Sequence, residues 1–391
     1  MYVPKADPQV SPPDGATQAR AALCDAVQRF GRTLNEDLAA RDASGTFPRE
    51  LYRRCGEFGI QGLPVPEAYG GSGQDLMTSL QAMEALGYAC RDNGLVFSLN
   101  AQMWAVQLPL VRFGTEVQKR RFLPALCRGD QVAAHAISEP GSGSDVMAMR
   151  TRATRDGEHY VLNGSKTFVT NGPAADVVLA FATVNPAAGV AGITGFLIER
   201  GAPGLTLTAP IPKMGLRTSP MGEVILEDCR VPAANRLGAE GAGASVFSAA
   251  MEWERACIFA SHLGAMQRLF EETVEYAKSR KQFGEPISHF SPIADRIVQM
   301  KIDLEVGRLL LYRVAEAKDR GENTVLLAAI AKLFVSEAHV RQALAALQIH
   351  GGYGYTTELG VERELRDALP GTLYSGTSEM QRKIIARLLG L

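Results

Sequence analysis

The sequence predicts an α+β chain of several domains, with helices at both ends and a β-barrel or β-sandwich between them. Its 391 residues exceed what one compact core usually holds. Apolar residues recur at helical spacing in the first third and last third of the chain, whereas short β-branched runs fill the middle. We therefore predict a flexible tail at 1–16, a helical domain at 17–133, a β domain at 134–241 and a helical bundle at 242–391.

Each part is justified by its own pattern. The first domain contains periodic runs such as ARAALCDAVQRFGRTLNEDLAA and DLMTSLQAMEALGYAC, and breakers such as PVPEAYGGSG separate them. The β domain contains HYVLNGSKTFVTNG, DVVLAFATV and GEVILEDCRVP without helical patterns between them, so a parallel sheet with crossover helices is not expected. Helical periodicity returns afterwards, in a stripe that includes Ile293, Ile297, Met300, Leu304 and Leu311.

Composition and charge exclude several classes of function. The hydrophobic fraction is 46%, the charged fraction is 21% and the net charge is −1. These values are those of an ordinary globular protein without the excess of basic residues that binds nucleic acid or an anionic membrane surface. The six cysteines form no CxxC pair and the histidines are dispersed, which predicts reduced thiols and no metal site. The N-terminus lacks the pattern of a signal peptide, and no 18 consecutive residues are apolar. We expect a cytoplasmic protein.

Five short motifs are candidates for chemistry: AISEPGSGSD at 136–145, KTFVTNG at 166–172, SRKQFGEPI at 279–287, LQIHGGYGY at 347–355 and LYSGTSEMQR at 373–382. Glycines in the first motif let a ligand approach the backbone, and its serines supply hydrogen bonds. Strand alternation places Phe168 and Thr170 on one face. Each motif also has a plain structural interpretation: a linker, a strand, or the cap of a helix. The usual nicotinamide, P-loop, zinc-protease and hydrolase signatures are absent.

In this order along the chain, the motifs resemble those of the acyl-CoA dehydrogenases, flavoproteins that remove two hydrogens across the α,β bond of an acyl thioester. The resemblance runs from roughly residue 20 to the end, and it implies FAD as cofactor and a C-terminal four-helix bundle. Phe168 stands where the family more often has Trp, and Ser291 where a Gln is usual. The cofactor contacts that the resemblance implies are Ser138, Gly143, Ser144, Phe168, Thr170, Arg280, Phe283, Gln348, Gly351, Gly352, Thr377, Ser378 and Glu379.

The resemblance also locates the catalytic base. Most of the family has a carboxylate two residues before the Thr of the GTS motif, but this chain has Ser375 there, and an unactivated hydroxyl is a poor base. A minority, including the isovaleryl and long-chain enzymes, supplies the base from another helix, immediately before an arginine. The matching residues are Glu254 and Arg255. Glu252 lies about 200° away around the same helix, so only one of the two carboxylates can face the cleft. The alternative is that Glu254 is a surface residue paired with a cation.

The resemblance defines the substrate less narrowly than it defines the cofactor and the base. Candidate substrate contacts are Ser144, Met251, Trp253, Ser375 and Gly376. The acyl group is carried either by CoA or by a carrier protein, since both present the same thioester. The chain looks like family members from natural-product pathways, such as prolyl-carrier oxidases. The electron acceptor is an electron-transfer flavoprotein or O₂. The alternative from another functional class is a flavin-binding protein without catalytic activity. The family expectation for the assembly is a homotetramer or homodimer.

Overall fold

The structure is a computed structural model that describes residues 15–391, with side chains from residue 17 onward. The predicted tail at 1–16 lies outside the described residues except for its last two, which begin the first helix. The helices are α1 (Gly15–Arg32), α2 (Leu38–Ser44), α3 (Arg49–Phe58), α4 (Leu76–Ala89), α5 (Asn93–Gln102), α6 (Leu108–Phe113), α7 (Glu116–Cys127), α8 (Gly243–Ser279), α9 (Ser291–Asp319), α10 (Val325–His350), α11 (Gly352–Tyr355), α12 (Val361–Ala368) and α13 (Ser378–Leu388). The strands are β1 (Ala133–Ala136), β2 (Arg152–Asp156), β3 (His159–Thr170), β4 (Val177–Thr183), β5 (Ile193–Glu199), β6 (Leu205–Leu207), β7 (Met221–Pro232), β8 (Arg236–Leu237), β9 (Lys281–Gln282) and β10 (Glu285–Pro286).

The first helical run was predicted as continuous, and that prediction is wrong. The chain turns between α1 and α2, where Asp37 has a φ of 54°. The Asn35 side chain holds this turn, because it donates to the Ala89 carbonyl at 2.9 Å and accepts from the Arg91 N–H at 2.7 Å. Periodicity alone does not reveal a polar anchor of this kind, since its partners lie far along the sequence.

One stretch, Asn93–Phe113, is long and apolar enough to cross a membrane by composition, but 83% of its most apolar window is buried inside the protein. It consists of α5, a π-helical turn at Met103–Gln107 and α6. Trp104 in this turn is fully buried and donates from Nε1 to Asn100 Oδ1 at 2.7 Å. The stretch is therefore a central core segment of this fold.

The middle strands form one mixed sheet in the order β6, β7, β3, β2, β4, β5 and β8, with β1 pairing with β4. Most neighbours are antiparallel, but β1 runs parallel to β4 from Ala133 opposite Val177 to Ala136 opposite Ala180. The β2–β3 hairpin, and not a crossover helix, lies between these two strands in the sequence. A parallel pair without a crossover helix was not expected from the pattern.

The C-terminal helices α8, α9, α10 and α13 pack as a bundle, and α8 also lies against α4 of the first helical domain. Two glycines allow the close crossing of α4 and α8. A Cβ on Gly87 would lie 2.0 Å from the Ser261 carbonyl oxygen, and a Cβ on Gly264 would lie 2.0 Å from that of Glu84. Since no side chain fits at either place, the crossing fixes α8, which carries Glu254.

Candidate active site

Glu254 and Ser375 are in direct contact, although they lie on different elements of the C-terminal bundle. The Ser375 hydroxyl donates a hydrogen bond of 2.7 Å to Glu254 Oε1. Ser375 is 9% exposed and has a φ of 54°, a backbone conformation that residues other than glycine seldom adopt. The position where most of the family carries its carboxylate thus orients a carboxylate that comes from α8.

The electrostatics around Glu254 suit a base. Burial raises the pKa of the Glu254 carboxyl above its usual range, and the hydrogen bond from Ser375 and the charge of Arg255 oppose that rise. Arg255 also contacts Ser375, because its Nε donates to the Ser375 carbonyl at 3.4 Å. Gln381 donates to the same carbonyl at 3.1 Å. These contacts hold the Ser375 backbone, and thereby its hydroxyl, against the carboxylate.

Glu252 is directed elsewhere. Its carboxylate forms an ion pair with Lys318 of α9 and accepts a hydrogen bond of 2.9 Å from the Thr324 hydroxyl. Lys318 also covers the ring of Trp253, with its ammonium 4.5 Å from the ring centroid. Met251 is buried. The two glutamates therefore occupy different environments, as the helical angle between them predicted, and Glu252 serves the packing of α8 on α9.

Positive backbone φ marks three of the candidate site residues. Seven non-glycine residues in the described chain have positive φ, and Phe168, Phe283 and Ser375 are among them. Phe168 lies in β3 at a bulge, where the pairing with β7 shifts between Lys166 and Val169. Its ring is 64% exposed, while Val169 beside it is buried. An exposed ring in a conformation that costs about 1–3 kcal/mol is a signature of a binding surface.

The SEPGSGSD loop is tied to β3 by a buried ion pair that the sequence analysis did not predict. Lys166 is fully buried, and its ammonium lies 2.8 Å from Glu139 Oε1. Glu139 also accepts from the N–H groups of Arg150 at 2.6 Å and Thr151 at 2.9 Å. Burial raises the pKa of the Glu139 carboxyl, but these hydrogen bonds outweigh that effect and hold the pKa below its usual range. The Thr167 N–H donates to the Ser138 carbonyl at 2.9 Å and adds a second link.

The loop itself leaves room for a ligand. A Cβ added at Gly141 or Gly143 would meet no atom within 4 Å, so protein packing does not require glycine there. Gly143 and Ser144 are exposed, and Ser138 and Thr170 are half-buried. The loop and the Phe168 ring are therefore held near each other by the Glu139–Lys166 pair while their ligand-facing atoms stay open.

A second group of candidate residues surrounds a groove of about 700 Å³ between the end of α8 and the end of α10. Residues around the groove include Tyr276, Arg280, Phe283, Gly351, Gly352 and Tyr353. Phe283 is 96% exposed, and the Arg280 guanidinium lies 5.9 Å from the Tyr353 ring centroid. Gln348 is exposed and its side chain is not among those that line this groove, but its carbonyl accepts from the Gly351 N–H at 3.3 Å.

The start of α13 is a capped helix N-terminus. Thr377 is the N-cap, and its hydroxyl accepts from the Met380 N–H at 3.3 Å. The Ser378 hydroxyl is buried without a hydrogen-bond partner among the described residues. Glu379 is exposed, and hydrogen bonds from its own backbone and from Thr377 lower the pKa of its carboxyl. Gly376 has a φ of 87°, and a Cβ there would lie 2.8 Å from Gln381 Nε2.

These features fit a dinucleotide with a flat ring system. The exposed Phe168 ring offers a stacking surface, and the open Gly143 region offers backbone and hydroxyl groups. The groove supplies a guanidinium for phosphate beside two glycines whose added Cβ atoms would meet nothing within 4 Å. No group of three His, Cys, Asp or Glu side chains is arranged to hold a metal ion among the described residues.

Comparison with known proteins decides the family. The acyl-CoA dehydrogenase N-terminal, middle and C-terminal domains match residues 17–130, 134–229 and 241–390. This chain belongs to the acyl-CoA dehydrogenase family. It is therefore an FAD-dependent oxidoreductase that acts on CH–CH bonds of thioesters, as the motifs implied, with the three-part architecture of that family.

Among its relatives are proteins with carrier-protein substrates in their names. An L-prolyl-[peptidyl-carrier protein] dehydrogenase of Pseudomonas fluorescens is 43% identical over 360 residues, which cover 91% of this chain and 94% of the relative. The solved structure of the prolyl acyl carrier protein oxidase AnaB is 47% identical with a TM-score of 0.94, over 95% of this chain and 99% of that one. Butyryl-CoA dehydrogenase from Megasphaera elsdenii is 35% identical with a TM-score of 0.92, over 98% of this chain and 100% of that one.

Proposed function

We propose that this protein dehydrogenates a prolyl thioester carried by a carrier protein, with Glu254 as the catalytic base. The observation that carries the proposal is the carboxylate of Glu254, a half-buried residue of α8, which the Ser375 hydroxyl holds at 2.7 Å. The identity of 43% with a prolyl-carrier dehydrogenase and of 47% with a prolyl-carrier oxidase supports the substrate class.

In this proposal Glu254 removes the α-proton of the thioester as a general base. The raised pKa of its carboxyl brings the base closer to the working pH, and that is what proton abstraction requires. The Ser375 hydroxyl fixes one carboxylate oxygen, so the other oxygen is directed to the substrate. FAD, when bound, would supply the acceptor for the β-hydrogen and its electron pair, so that loss of both hydrogens would leave an α,β carbon–carbon double bond. Arg255 holds the Ser375 backbone and thus serves as a positioning residue.

Phe168, Ser138, Gly143, Ser144 and Thr170 form the proposed surface for the flavin ring. The rest of FAD has two proposed groups of contacts. One is the helix cap at Thr377, Ser378 and Glu379. The other is the groove with Arg280, Phe283, Gly351 and Gly352, to which the resemblance adds Gln348. No residue of the β domain lines the groove among the described residues. We therefore propose that a second copy of the chain completes the FAD site in a homodimer or homotetramer. Substrate contacts are assigned to Ser144, Met251, Trp253, Ser375 and Gly376.

Anaerobic mixing of the FAD-loaded protein with defined thioesters tests the proposed function. We expect loss of flavin absorbance with an L-prolyl carrier protein, and a much slower loss with butyryl-CoA or prolyl-CoA. The unloaded carrier protein is the control and should leave the spectrum unchanged. If butyryl-CoA reduces the flavin fastest, the carrier-protein assignment is wrong; if no thioester reduces it, the protein is a non-catalytic flavin binder. Readmission of air then separates an oxidase, which recovers its absorbance at once, from a dehydrogenase that needs an electron-transfer flavoprotein.

A further inference from the structure

The tyrosine that precedes Ser375 connects the proposed base to a histidine deeper along α8. Tyr374 is half-buried, and its hydroxyl lies 2.6 Å from His262 Nε2. Its ring packs against Phe97 with centroids 4.6 Å apart and also lies beside Phe259. The next residue in the chain, Ser375, contacts Glu254. The tyrosine ring is therefore fixed between the base and His262.

The spacing along α8 relates the proposed base to His262. Glu254, Ile258 and His262 recur at four-residue intervals, which places them on one face of the helix with about 6 Å of axial rise from each to the next. An acyl group whose α-carbon lies at Glu254 and that follows this face of α8 would run past Ile258 toward His262. On that course Tyr374, which contacts His262, lies within about two helical turns of Glu254, so a short acyl group would reach its hydroxyl.

The hydrogen bonds around His262 determine whether the Tyr374 hydroxyl donates or accepts in its contact with His262. His262 Nδ1 lies 3.3 Å from the Ile258 carbonyl oxygen, which only accepts, so Nδ1 carries the proton. Burial, with His339 nearby, lowers the pKa of His262 to about 3, so the ring is neutral and Nε2 accepts. Burial, with Glu254 nearby, raises the pKa of Tyr374 well above its usual range, so its hydroxyl keeps its proton and donates it to His262. The remaining lone pairs of the tyrosine oxygen are free to accept.

Polar groups also line part of the region behind His262. A cavity of about 20 Å³ lies there, lined by Asn93, Ser261, His262, His339 and Asp367 among others. His339 is 3% exposed, and neither of its ring nitrogens has a hydrogen-bond partner among the described residues. The volume is enough for one water molecule. Polar groups at the end of that course are costly for a substrate that is only hydrocarbon.

We propose that Tyr374 and His262 form a polar floor that selects a short acyl group bearing an N–H donor, with the Tyr374 oxygen as the acceptor. This inference rests on the proposed function and specifies its selectivity. The ring nitrogen of a prolyl group carries at least one N–H in either of its protonation states, whereas a saturated acyl chain carries none. A site built to bond an N–H discriminates strongly against an analogue without it.

The test compares two thioesters on the same carrier protein: L-prolyl and cyclopentanecarbonyl, which has the same ring size without the nitrogen. For each, flavin reduction yields the rate at saturation and the half-saturating concentration. The wild-type protein is expected to prefer the prolyl thioester. In Tyr374→Phe the prolyl-to-cyclopentanecarbonyl ratio should fall about 3- to 10-fold, the effect of losing one hydrogen bond. Tyr312→Phe is the matched control, because the Tyr312 hydroxyl bonds Glu84 at 2.8 Å on another face of the fold.

A second variant, His262→Phe, keeps a ring at the floor and removes the nitrogen that accepts the Tyr374 proton. The Tyr374 hydroxyl is then no longer oriented as an acceptor, so the same ratio should fall. Retained FAD absorbance shows that each variant is folded. An equal loss with both thioesters would show a purely structural role for the pair and overturn the inference, as would an unchanged ratio. If the wild-type protein oxidises the cyclopentanecarbonyl thioester as well as the prolyl one, this inference is wrong while thioester dehydrogenation stands. If it oxidises neither, the proposed function fails with it.

Discussion

Replacing Glu254 by Gln is expected to slow flavin reduction by the prolyl thioester by about 10²- to 10⁴-fold, the usual contribution of a positioned general base. The amide keeps the size of the side chain and can still accept the Ser375 hydrogen bond at 2.7 Å, so the surrounding structure should persist. FAD should remain bound, because the groups proposed to hold it lie elsewhere. Stopped-flow absorbance under anaerobic conditions measures the rate.

The pH dependence adds a second signature. Because burial raises the pKa of Glu254, the fraction of ionised base grows as pH increases through that raised value. The wild-type rate should therefore rise with pH on the acid side, and the Glu254→Gln variant should lose this rise. Glu252→Gln is the matched control two residues away, since Glu252 pairs with Lys318 and should change the rate little. Equal slowing in the two variants would contradict the assignment.

Replacing Lys166 by Met is expected to cost about 3–5 kcal/mol of unfolding free energy, because Glu139 is left buried without its cation. The side chains of Lys166 and Glu139 are 0% and 7% exposed, and their charged atoms are 2.8 Å apart. Urea unfolding of the FAD-loaded protein measures the change. Since the pair holds the SEPGSGSD loop to β3, the affinity for FAD should fall as well, and fluorescence of released flavin reports this.

A surface ion pair with the same separation provides the control for Lys166→Met. Arg230 and Asp156 are also 2.8 Å apart, but their side chains are 47% and 59% exposed. Arg230→Met should change stability by about 0–1 kcal/mol, because water screens exposed charges. The double variant Lys166→Met, Glu139→Gln removes both buried charges and should recover part of the loss. Comparable effects of Lys166→Met and Arg230→Met would refute the role assigned to the buried pair.

Local patterns predicted the sequence of helical, β and helical segments because periodicity depends on neighbouring residues. Where the prediction was wrong, the cause lies in distant contacts. The break between α1 and α2 depends on Asn35, whose partners Ala89 and Arg91 are more than 50 residues away along the chain. The parallel pairing of β1 with β4 likewise depends on which distant strands meet, and the alternation within each strand does not encode it.

The candidate site shows the same limit. The motifs named Ser375 and Phe168, and the resemblance named Glu254, but the contacts that these residues make are not visible in the sequence. The hydrogen bond from Ser375 to Glu254 spans 121 residues, and the ion pair of Lys166 with Glu139 spans 27. The positive φ of Phe168 follows from a bulge in β3, which only the register with β7 shows. Lys166 is the first residue of the KTFVTNG motif, but its burial, which would have indicated an ion pair, is unknown before the fold is known.

The contact between Ser375 and Glu254 gives a physical account of how the base can change its place in the family. A carboxylate on α8 reaches the same region as a carboxylate at position 375 would, because the two side chains already touch. A serine at 375 then has a role of its own, since it donates to one carboxylate oxygen. The Arg255 and Gln381 contacts to the Ser375 backbone hold that geometry.

The most direct measurement of the central claim is exchange of the substrate α-hydrogen with D₂O, with the protein-bound FAD chemically reduced beforehand. Reduced FAD does not accept a hydride, so only proton removal and return take place, and mass spectrometry detects deuterium in the prolyl group. We predict exchange well above the rate in buffer for the wild-type protein and for Glu252→Gln, and exchange at the buffer rate for Glu254→Gln. Exchange by Glu254→Gln at the wild-type rate would contradict the assignment of Glu254 as the base.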